Sequence, residues 1–254
     1  MATSIGGIDI IFGDIRQAKA LPLSHPKARW ATRWHHNLYR HLPTCQRDEK
    51  CPALLAWSPY GKQGGRGNKV LDEFPFRIGV TLRKLSELQK WDSPDQGYWV
   101  QYGYVVVNVG SRGVGKTEGN IYQFGSQEDR DGADVVDWLG AQPWCSGKVS
   151  LSGNSYLAIS QWFIAAENPK RLTAIAPEGI SDLYRECLTF GGVLSKPALT
   201  FTLQLLQVNA AENSCENTVQ MAIAYKKYGA YHDDKRAKVD VPTLLVIIFT
   251  QNMC

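Results

Sequence analysis

The 254-residue sequence predicts an α/β fold, with a mostly parallel sheet and helices on both of its faces. Short apolar, β-branched runs alternate with helical patterns, which is the order expected of strand–helix–strand units. The predicted strands are apolar enough to be buried on both faces, as parallel strands usually are. Hydrophobic residues make up 44% and charged residues 20%, so the chain can build a globular core in one sizeable domain or two small ones.

Five strands are predicted, each a short apolar run bounded by turn residues. The first, PALLAW, ends at Ser58-Pro59, and the second, YVVVNV, is strongly β-branched. The third, KVSLSG, leads directly into the next predicted helix. The strands are predicted at residues 52–57, 104–109, 148–153, 172–177 and 241–249.

Two helices have clear patterns. Residues 126–142 carry acidic side chains in the first turns, where the helix dipole favours them, and an apolar face further on. Residues 155–168 are apolar nearly all round, which indicates a buried helix. The pattern of residues 76–91 is also compatible with a helix, and residues 183–238 are mixed and largely helical.

The net charge of +4 is modest, and part of it comes from residues 1–50, which hold eight Lys or Arg against four Asp or Glu. Because those basic residues are scattered, no nucleic-acid partner is predicted. No apolar run approaches the roughly 18 residues of a membrane span, so no membrane partner is predicted. The N-terminus lacks the basic segment and apolar core of a secretory signal.

The cysteines are far apart, and none forms a C-x-x-C pair or a zinc-binding spacing with histidine. In a chain of this length without a signal they are predicted to be free thiols, and the predicted compartment is the cytoplasm. No cofactor and no metal are predicted. The six cysteines are Cys45, Cys51, Cys145, Cys187, Cys215 and Cys254.

One motif matches a phosphate loop. Residues 110–117, GSRGVGKT, fit G-x-x-x-x-G-K-[ST] directly after a predicted strand. A phosphate loop needs a helix that begins at its Lys-Thr pair, but Gly119 falls in that first turn and Glu118 would face the bound anion. A nucleotide-binding protein is therefore the least favoured of the functional interpretations, and the segment is interpreted as a glycine-rich turn.

A second motif lies between the predicted strand 148–153 and the helix that follows it. Gly153-Asn154-Ser155-Tyr156-Leu157 places a serine on a tight strand-to-helix turn, as in the nucleophile elbow of α/β-hydrolases. The amide of Tyr156, at a helix N-terminus, could donate to an oxyanion. Leu157 replaces the second glycine of G-x-S-x-G. The alternative is a serine N-cap on an ordinary helix.

Four blocks of the chain resemble the cocaine-esterase / X-Pro dipeptidyl-peptidase family of serine hydrolases, in the family's order over roughly residues 51–246. They are PALLAWSPYGKQG, GYVVVNVGSRGVGKTEG, DVVDWLGAQPWCSGKVSLSGNSYLAISQWFIAA and IAPEGISDLYRE. The resemblance implies an esterase or dipeptidyl-peptidase that acts on a small-molecule or peptide acyl substrate. It implies that Ser155 is the nucleophile, and that the Tyr60 hydroxyl shares the oxyanion hole with the Tyr156 amide.

The resemblance also implies an α/β-hydrolase-type sheet with a helical cap insertion, incomplete at the C-terminus. Residues 1–50 form a poorly readable N-terminal segment, and residues 51–182 form the hydrolase core. Residues 183–238 form the cap region, and residues 239–254 hold the last core strand and a divergent tail. The family's Asp-Arg-Gly turn is not matched fully, because its aspartate is absent before Arg112, which is left without an assigned partner.

The acid and base of the catalytic triad are not recognisable. α/β-Hydrolases place them after the serine, in the order Ser, Asp or Glu, His. The only histidine after Ser155 is His232, which does not match the family's catalytic histidine and is predicted to be solvated, like Asp233, Asp234 and Asp240. The family's C-terminal β-sandwich domain is not recognisable either. The alternative to an active serine hydrolase is therefore an inactive fragment or remnant of one.

Overall fold

A computed structural model describes most of the predicted core and parts of the remaining chain. In it no helix is long and apolar enough to cross a membrane, within the residues it describes. The described residues are 2–5, 8–12, 50–60, 86, 89–114, 117, 119–179, 182–188, 218–225, 227, 229–235 and 245–246.

The described strands form one seven-stranded sheet in the order β1-β2-β4-β3-β5-β6-β7. Five neighbouring strands of the sheet, β4, β3, β5, β6 and β7, are parallel to one another. At one edge, β1 pairs antiparallel with β2, and β2 pairs antiparallel with β4. The predicted mostly parallel sheet is confirmed. The strands are β1 Ala2–Ile5, β2 Ile8–Phe12, β3 Cys51–Ser58, β4 Val105–Gly110, β5 Cys145–Asn154, β6 Leu172–Glu178 and β7 Leu245–Val246.

Helices cover both faces of the sheet. Leu55 and Val107 belong to the main core, which also holds buried residues of α2 and α3. Their strand neighbours Leu54 and Val106 point to the opposite face and pack with Val100, next to α1. The helices are α1 Gln96–Trp99, continued by a 3₁₀ turn Val100–Tyr102, α2 Ser126–Gly140, α3 Tyr156–Ala166, a π-helical turn Tyr184–Leu188, α4 Thr218–Ala224 and α5 Ala230–Asp234.

The first four core strands and both clearly patterned helices are confirmed, with ends within three residues of the predicted ones. Only two residues of the predicted strand 241–249 are described, and they pair parallel with β6. The predicted helix 76–91 is wrong in its described residues, 86 and 89–91, none of which is helical. The Ser86 amide instead donates to the Asp95 carboxylate at 2.7 Å, a side-chain bond that competes with helical pairing.

The N-terminal segment, to which the sequence analysis assigned no element, contains β1 and β2. Their register pairs Ile5 with Ile8, so the two-residue sequence Gly6-Gly7 joins them. A Gly-Gly pair between short apolar runs is a hairpin signal that could have identified these strands.

The prediction of six free thiols is wrong for Cys51, which is disulfide-bonded. Cys145 lies opposite Cys51 in the register of β5 and β3, but it is not the disulfide partner: its thiol is free and buried. Cysteine spacing alone does not report which thiols pair, so the sequence pattern could not settle the state of Cys51.

Candidate active site

Ser155 is the single residue between β5 and α3, and its backbone is strained. Its φ of 56° and ψ of −118° lie outside the extended region that N-cap residues adopt, and its side chain makes no capping hydrogen bond. Such a conformation in a residue with a β-carbon costs about 1–3 kcal/mol. The serine is exposed, whereas the helix that it precedes is buried. The N-cap interpretation of Ser155 therefore has no support in the geometry.

Backbone contacts from two neighbouring segments hold the elbow, residues 153–157. The Asn154 amide donates to the Asp92 carbonyl at 2.9 Å, and the Ser155 amide donates to the Glu178 carbonyl at 3.2 Å. Gly153 has a φ of 147°, and a β-carbon there would lie 2.6 Å from the Leu157 β-carbon and 2.9 Å from the Asp92 carbonyl oxygen. The bare glycine at 153 therefore makes room for the leucine that replaces the second glycine of the motif.

Tyr60 lies just beyond the end of β3, and its hydroxyl reaches the elbow. It is hydrogen-bonded to the Ser155 side chain and to the backbone N–H of Tyr156. Burial, followed by the nearby Asp92 carboxylate, raises the pKa of the Tyr60 phenol above its ordinary value. The phenol therefore stays protonated and can act as a hydrogen-bond donor. The structure thus brings together all three predicted site residues.

Asp92 is a site residue that the sequence analysis missed. It has a φ of 56°, a left-handed conformation that Asp tolerates better than most residues. Burial, opposed by a hydrogen bond from Trp91 and aided by the charge of Glu178, raises the pKa of its carboxyl to about 7. The run Trp-Asp-Ser-Pro-Asp is a turn signal in the sequence, but it overlaps the end of the segment 76–91, whose pattern is compatible with a helix.

The Tyr156 side chain points into the core, in contrast to its neighbour Ser155. It is 2% exposed; its ring packs against that of Phe124, tilted by 34° with the centroids 4.1 Å apart, and meets the Tyr60 ring edge-on at 6.3 Å. Its hydroxyl donates to the Glu128 carboxylate at 2.8 Å. The residue that supplies the oxyanion amide is therefore anchored in the core by its own side chain.

The segment that imitates a phosphate loop closes on itself. The buried Thr117 hydroxyl donates to the Ser111 carbonyl at 2.8 Å and accepts from the Val114 amide at 2.7 Å. No described residue of 119–125 is helical, and α2 begins only at Ser126. The hydroxyl that would ligate magnesium is thus used in a turn, and the helix N-terminus of a phosphate loop is missing. Lys116 lies outside the described residues.

Arg112, to which the sequence assigned no partner, forms a bidentate ion pair with Asp131 in α2. Its Nε and Nη2 donate to the two carboxylate oxygens at 2.7 and 2.6 Å. Such a fork geometry is the strong form of an Arg–carboxylate pair. Asp131 lies 19 residues further along the chain, so sequence spacing alone gave no reason to pair the two.

His232 is not solvated, so that prediction is wrong. The side chain is 7% exposed, and its ring meets the rings of Tyr184 and Tyr231 edge-on at 5.3 and 5.5 Å. Asp233 is exposed as predicted, but Asp234 is partly buried and accepts a hydrogen bond from the Tyr122 hydroxyl at 2.6 Å. Asp240 lies outside the described residues. Helix α5 therefore uses this face for packing.

A candidate metal site is absent from the described part of the chain, where no three His, Cys, Asp or Glu residues cluster suitably. The site just described therefore consists of a serine, two tyrosines and nearby carboxylates.

Comparison with known proteins identifies the family of this fold and site. The family profile described as X-Pro dipeptidyl-peptidase (S15 family) matches residues 32–248. The chain is 39% identical over 106 residues to the cocaine esterase of Rhodococcus sp. (strain MB1 Bresler), which covers 40% of this chain and 18% of that protein.

Two solved structures are similar. A CocE/NonD family hydrolase from Staphylococcus aureus has a TM-score of 0.68 and 30% identity, over 76% of this chain and 34% of that one. An α-amino acid ester hydrolase has a TM-score of 0.52 at 19% identity, over 76% of this chain and 36% of that one, and supports the fold alone. The chain thus spans about a third of these structures. On the extent of the profile match, it belongs to the X-Pro dipeptidyl-peptidase (S15) family of α/β-hydrolases.

Proposed function

We propose that the protein is a serine hydrolase that cleaves an ester or amide through an acyl-enzyme on Ser155. The observation that carries this proposal is the meeting of three groups at the elbow. The Tyr60 hydroxyl is hydrogen-bonded both to the Ser155 side chain and to the Tyr156 backbone N–H. A carbonyl substrate that displaced this contact would place its oxygen between a phenol and an amide donor, with its carbon beside Ser155.

In the proposed reaction, Ser155 Oγ attacks the carbonyl carbon and the carbonyl oxygen becomes negative. The Tyr60 hydroxyl and the Tyr156 amide donate to that oxyanion, and the leaving alcohol or amine departs as the acyl-enzyme forms. Water then attacks the acyl-enzyme and releases the acid. The serine proton passes to a general base, which in this fold class is a histidine, and the base returns it to the leaving alcohol or amine. In a pH–rate profile such a base would give an inflection near the ordinary histidine pKa of about 6.5, and Asp92→Asn would separate it from the Asp92 carboxyl, whose pKa is about 7.

The proposed substrate is a small-molecule or peptide acyl compound. This follows from the family, whose named members include an esterase and X-Pro dipeptidyl-peptidases. The alternative is a catalytically inactive relative that retains the elbow without turnover, and the experiment below separates the two.

The test combines labelling and turnover. Purified protein is treated with a fluorophosphonate probe and, separately, with p-nitrophenyl esters. Ser155→Ala should abolish both signals. Ser160→Ala should retain them, because Ser160 is buried in α3 with its hydroxyl bonded to the Leu157 carbonyl. Labelling without turnover would identify the inactive relative, and no labelling of folded wild-type protein would refute the nucleophile.

The cytoplasmic location stays a prediction. The disulfide at Cys51 argues against it, because structural disulfides are rare in reducing compartments. Counting the free thiols of protein isolated from its cells under alkylating conditions would decide the matter. A fully reduced Cys51 would favour the cytoplasm.

A further inference from the structure

A buried carboxylate in the first turn of α2 lies behind the proposed oxyanion hole. Glu128 is 5% exposed, and its described hydrogen bonds are between 2.6 and 2.9 Å long. The Trp57 indole donates to Oε1 at 2.7 Å, and the Phe124 amide donates to Oε2 at 2.6 Å. The Tyr156 hydroxyl lies 2.9 Å from Oε1 and 2.8 Å from Oε2.

Two of these donors belong to the two arms of the proposed oxyanion hole. Trp57 is in β3, the strand that leads to Tyr60. Tyr156 follows Ser155 and carries the oxyanion amide itself. β3 and the start of α3 are thus joined through one side chain, although the donors lie 71 and 28 residues from Glu128 along the chain. When the carboxyl is ionised, such a link is stronger than one made of neutral hydrogen bonds.

No other side chain of this size would serve all of the donors. A carboxylate offers two acceptor oxygens with about four lone-pair sites, whereas a glutamine offers one acceptor oxygen and two donors of its own. Keeping a carboxyl in the core is unfavourable, and burial raises the pKa of Glu128 to about 7. The hydrogen bonds that it accepts and the charge of Lys235 act in the opposite direction. Because burial of the Glu128 carboxyl between β3 and α3 is energetically unfavourable, we expect this carboxyl to have a role at that place.

We propose that Glu128 is a positioning residue that fixes the Tyr60 and Tyr156 arms of the oxyanion hole relative to each other. It acts through Trp57 and Tyr156 and does not touch the substrate. The catalytic part of this inference rests on the proposed function of Ser155. The distance between the two oxyanion donors is then set from inside the core, and loss of the carboxylate would slow the chemical step without weakening substrate binding.

The matched control is Asp131, a second buried carboxylate one turn further along the same helix. Its 6% exposure is close to that of Glu128, but its partners are Arg112 and Gln127, not the arms of the hole. Glu128→Gln and Asp131→Asn therefore each neutralise one core carboxylate of α2. Only the former disconnects β3 from the start of α3.

The first measurement does not depend on catalysis. Amide hydrogen exchange, followed by mass spectrometry, is compared for peptides covering residues 52–60 and 153–160. We expect both peptides to exchange faster in Glu128→Gln and neither to change in Asp131→Asn. Faster exchange confined to residues around 124–131, or equal changes in the two variants, would overturn the proposal.

The second measurement is the rate of fluorophosphonate labelling as a function of probe concentration. Glu128→Gln should lower the maximal rate about 10- to 100-fold with the half-saturating concentration unchanged. Asp131→Asn should leave both parameters unchanged. A change in half-saturation alone, or an unchanged maximal rate, would overturn the proposal. A further outcome is folded wild-type protein that remains unlabelled while both peptides exchange faster in Glu128→Gln. That result would refute Ser155 as the nucleophile but would support the structural link that Glu128 makes between β3 and α3.

A milder variant covers the case in which Glu128→Gln does not fold. Tyr156→Phe removes one of the donors to Glu128 and keeps the backbone amide. We expect faster exchange in residues 153–160 and a maximal labelling rate lowered by about tenfold. Wild-type exchange and rate in this variant would overturn the proposal.

Discussion

The strands β4 and β5 end at the same side of the sheet, but the connections from each strand to the helix that follows it differ greatly. After β4, fifteen residues of sequence, which hold most of the phosphate-loop pattern, precede α2, which begins only at Ser126. After β5, a single residue, Ser155, separates strand from helix. The long turn uses the Thr117 hydroxyl within its own backbone, whereas the short one leaves an exposed serine in a strained conformation beside a tyrosine.

The contrast between these two connections indicates where to look for reactive groups in this fold. A glycine-rich segment with one hydroxyl can form a turn whose polar groups hydrogen-bond to one another, because buried polar groups are nearly always hydrogen-bonded. A strained residue with a β-carbon persists only when its surroundings hold it in place, and such residues concentrate at functional sites.

The largest expected effect is at the short connection. Tyr60→Phe removes one of the two proposed oxyanion donors, and we expect the labelling rate of Ser155 to fall about 10²-fold. The thermal midpoint should change little, because the ring is retained. Tyr98→Phe, which alters a tyrosine 53% exposed on α1, is the control and should react at the wild-type rate. Equal rates for both variants would remove Tyr60 from the oxyanion hole.

At the long connection, we expect stability to respond and labelling to persist. Gly113 has a φ of 72°, and a β-carbon there would collide with the Ile121 backbone. Gly113→Ala should lower the free energy of unfolding by about 3 kcal/mol, from backbone strain together with overpacking. The matched variant Gly103→Ala has a similar φ of 83° and open space around it, so it should cost only about 1 kcal/mol. Urea denaturation measures both, and equal losses would mean that the turn after β4 is not tightly closed.

Thr117 tests whether the glycine-rich turn binds phosphate or only closes itself. Thr117→Val removes the bonds to Ser111 and Val114, and we expect about 1–2 kcal/mol of destabilisation with unchanged labelling of Ser155. Neither wild-type nor variant protein should bind Mg-ATP in equilibrium dialysis. Nucleotide binding that the variant loses would return the segment to a phosphate-loop function.

The smallest effect concerns the acidic start of α2. Burial and three neighbouring carboxylates raise the pKa of Asp129 from its ordinary 3.8 to about 8. The folded state therefore holds this proton more tightly than the unfolded state, and wild-type stability falls as the pH rises from about 4 to 8. Asp129→Asn should match the wild type near pH 4 and be more stable by about 1 kcal/mol above pH 8. A gain that is the same at both pH values would exclude this titration as its cause. The carboxylates are Glu128, Glu167 and Asp234.

Local signals made much of the core predictable. The runs at β3, β4, β5 and β6 are apolar and β-branched, and their order along the chain implied a parallel sheet. The elbow followed from a Gly-x-Ser placed between a strand and an apolar helix, and the resemblance added Tyr60. These features depend on residues close together in sequence, or on a motif of known order.

The unpredicted features depend on distant contacts. Asp92 reaches the elbow through a backbone carbonyl, which no side-chain pattern reports. Glu128 looked like an acidic residue suited to a helix dipole, and its burial became evident only with Trp57 and Tyr156 around it. His232 looked like a surface histidine beside two aspartates, yet aromatic rings enclose it. Charge in a sequence is a poor guide to exposure when the partners come from elsewhere.

The fit between Gly153 and Leu157 constrains the order in which mutations can accumulate. With leucine at 157, even an alanine at 153 would collide with the Leu157 β-carbon and the Asp92 carbonyl. A lineage carrying this leucine must therefore keep its glycine, and a smaller residue at 157 would remove only one of the two collisions. Relatives with glycine at the position of Leu157 avoid the collision with the β-carbon of that residue. Libraries that randomise residue 153 should consequently return glycine, because the φ of 147° and the Asp92 carbonyl disfavour a β-carbon there whichever residue stands at 157.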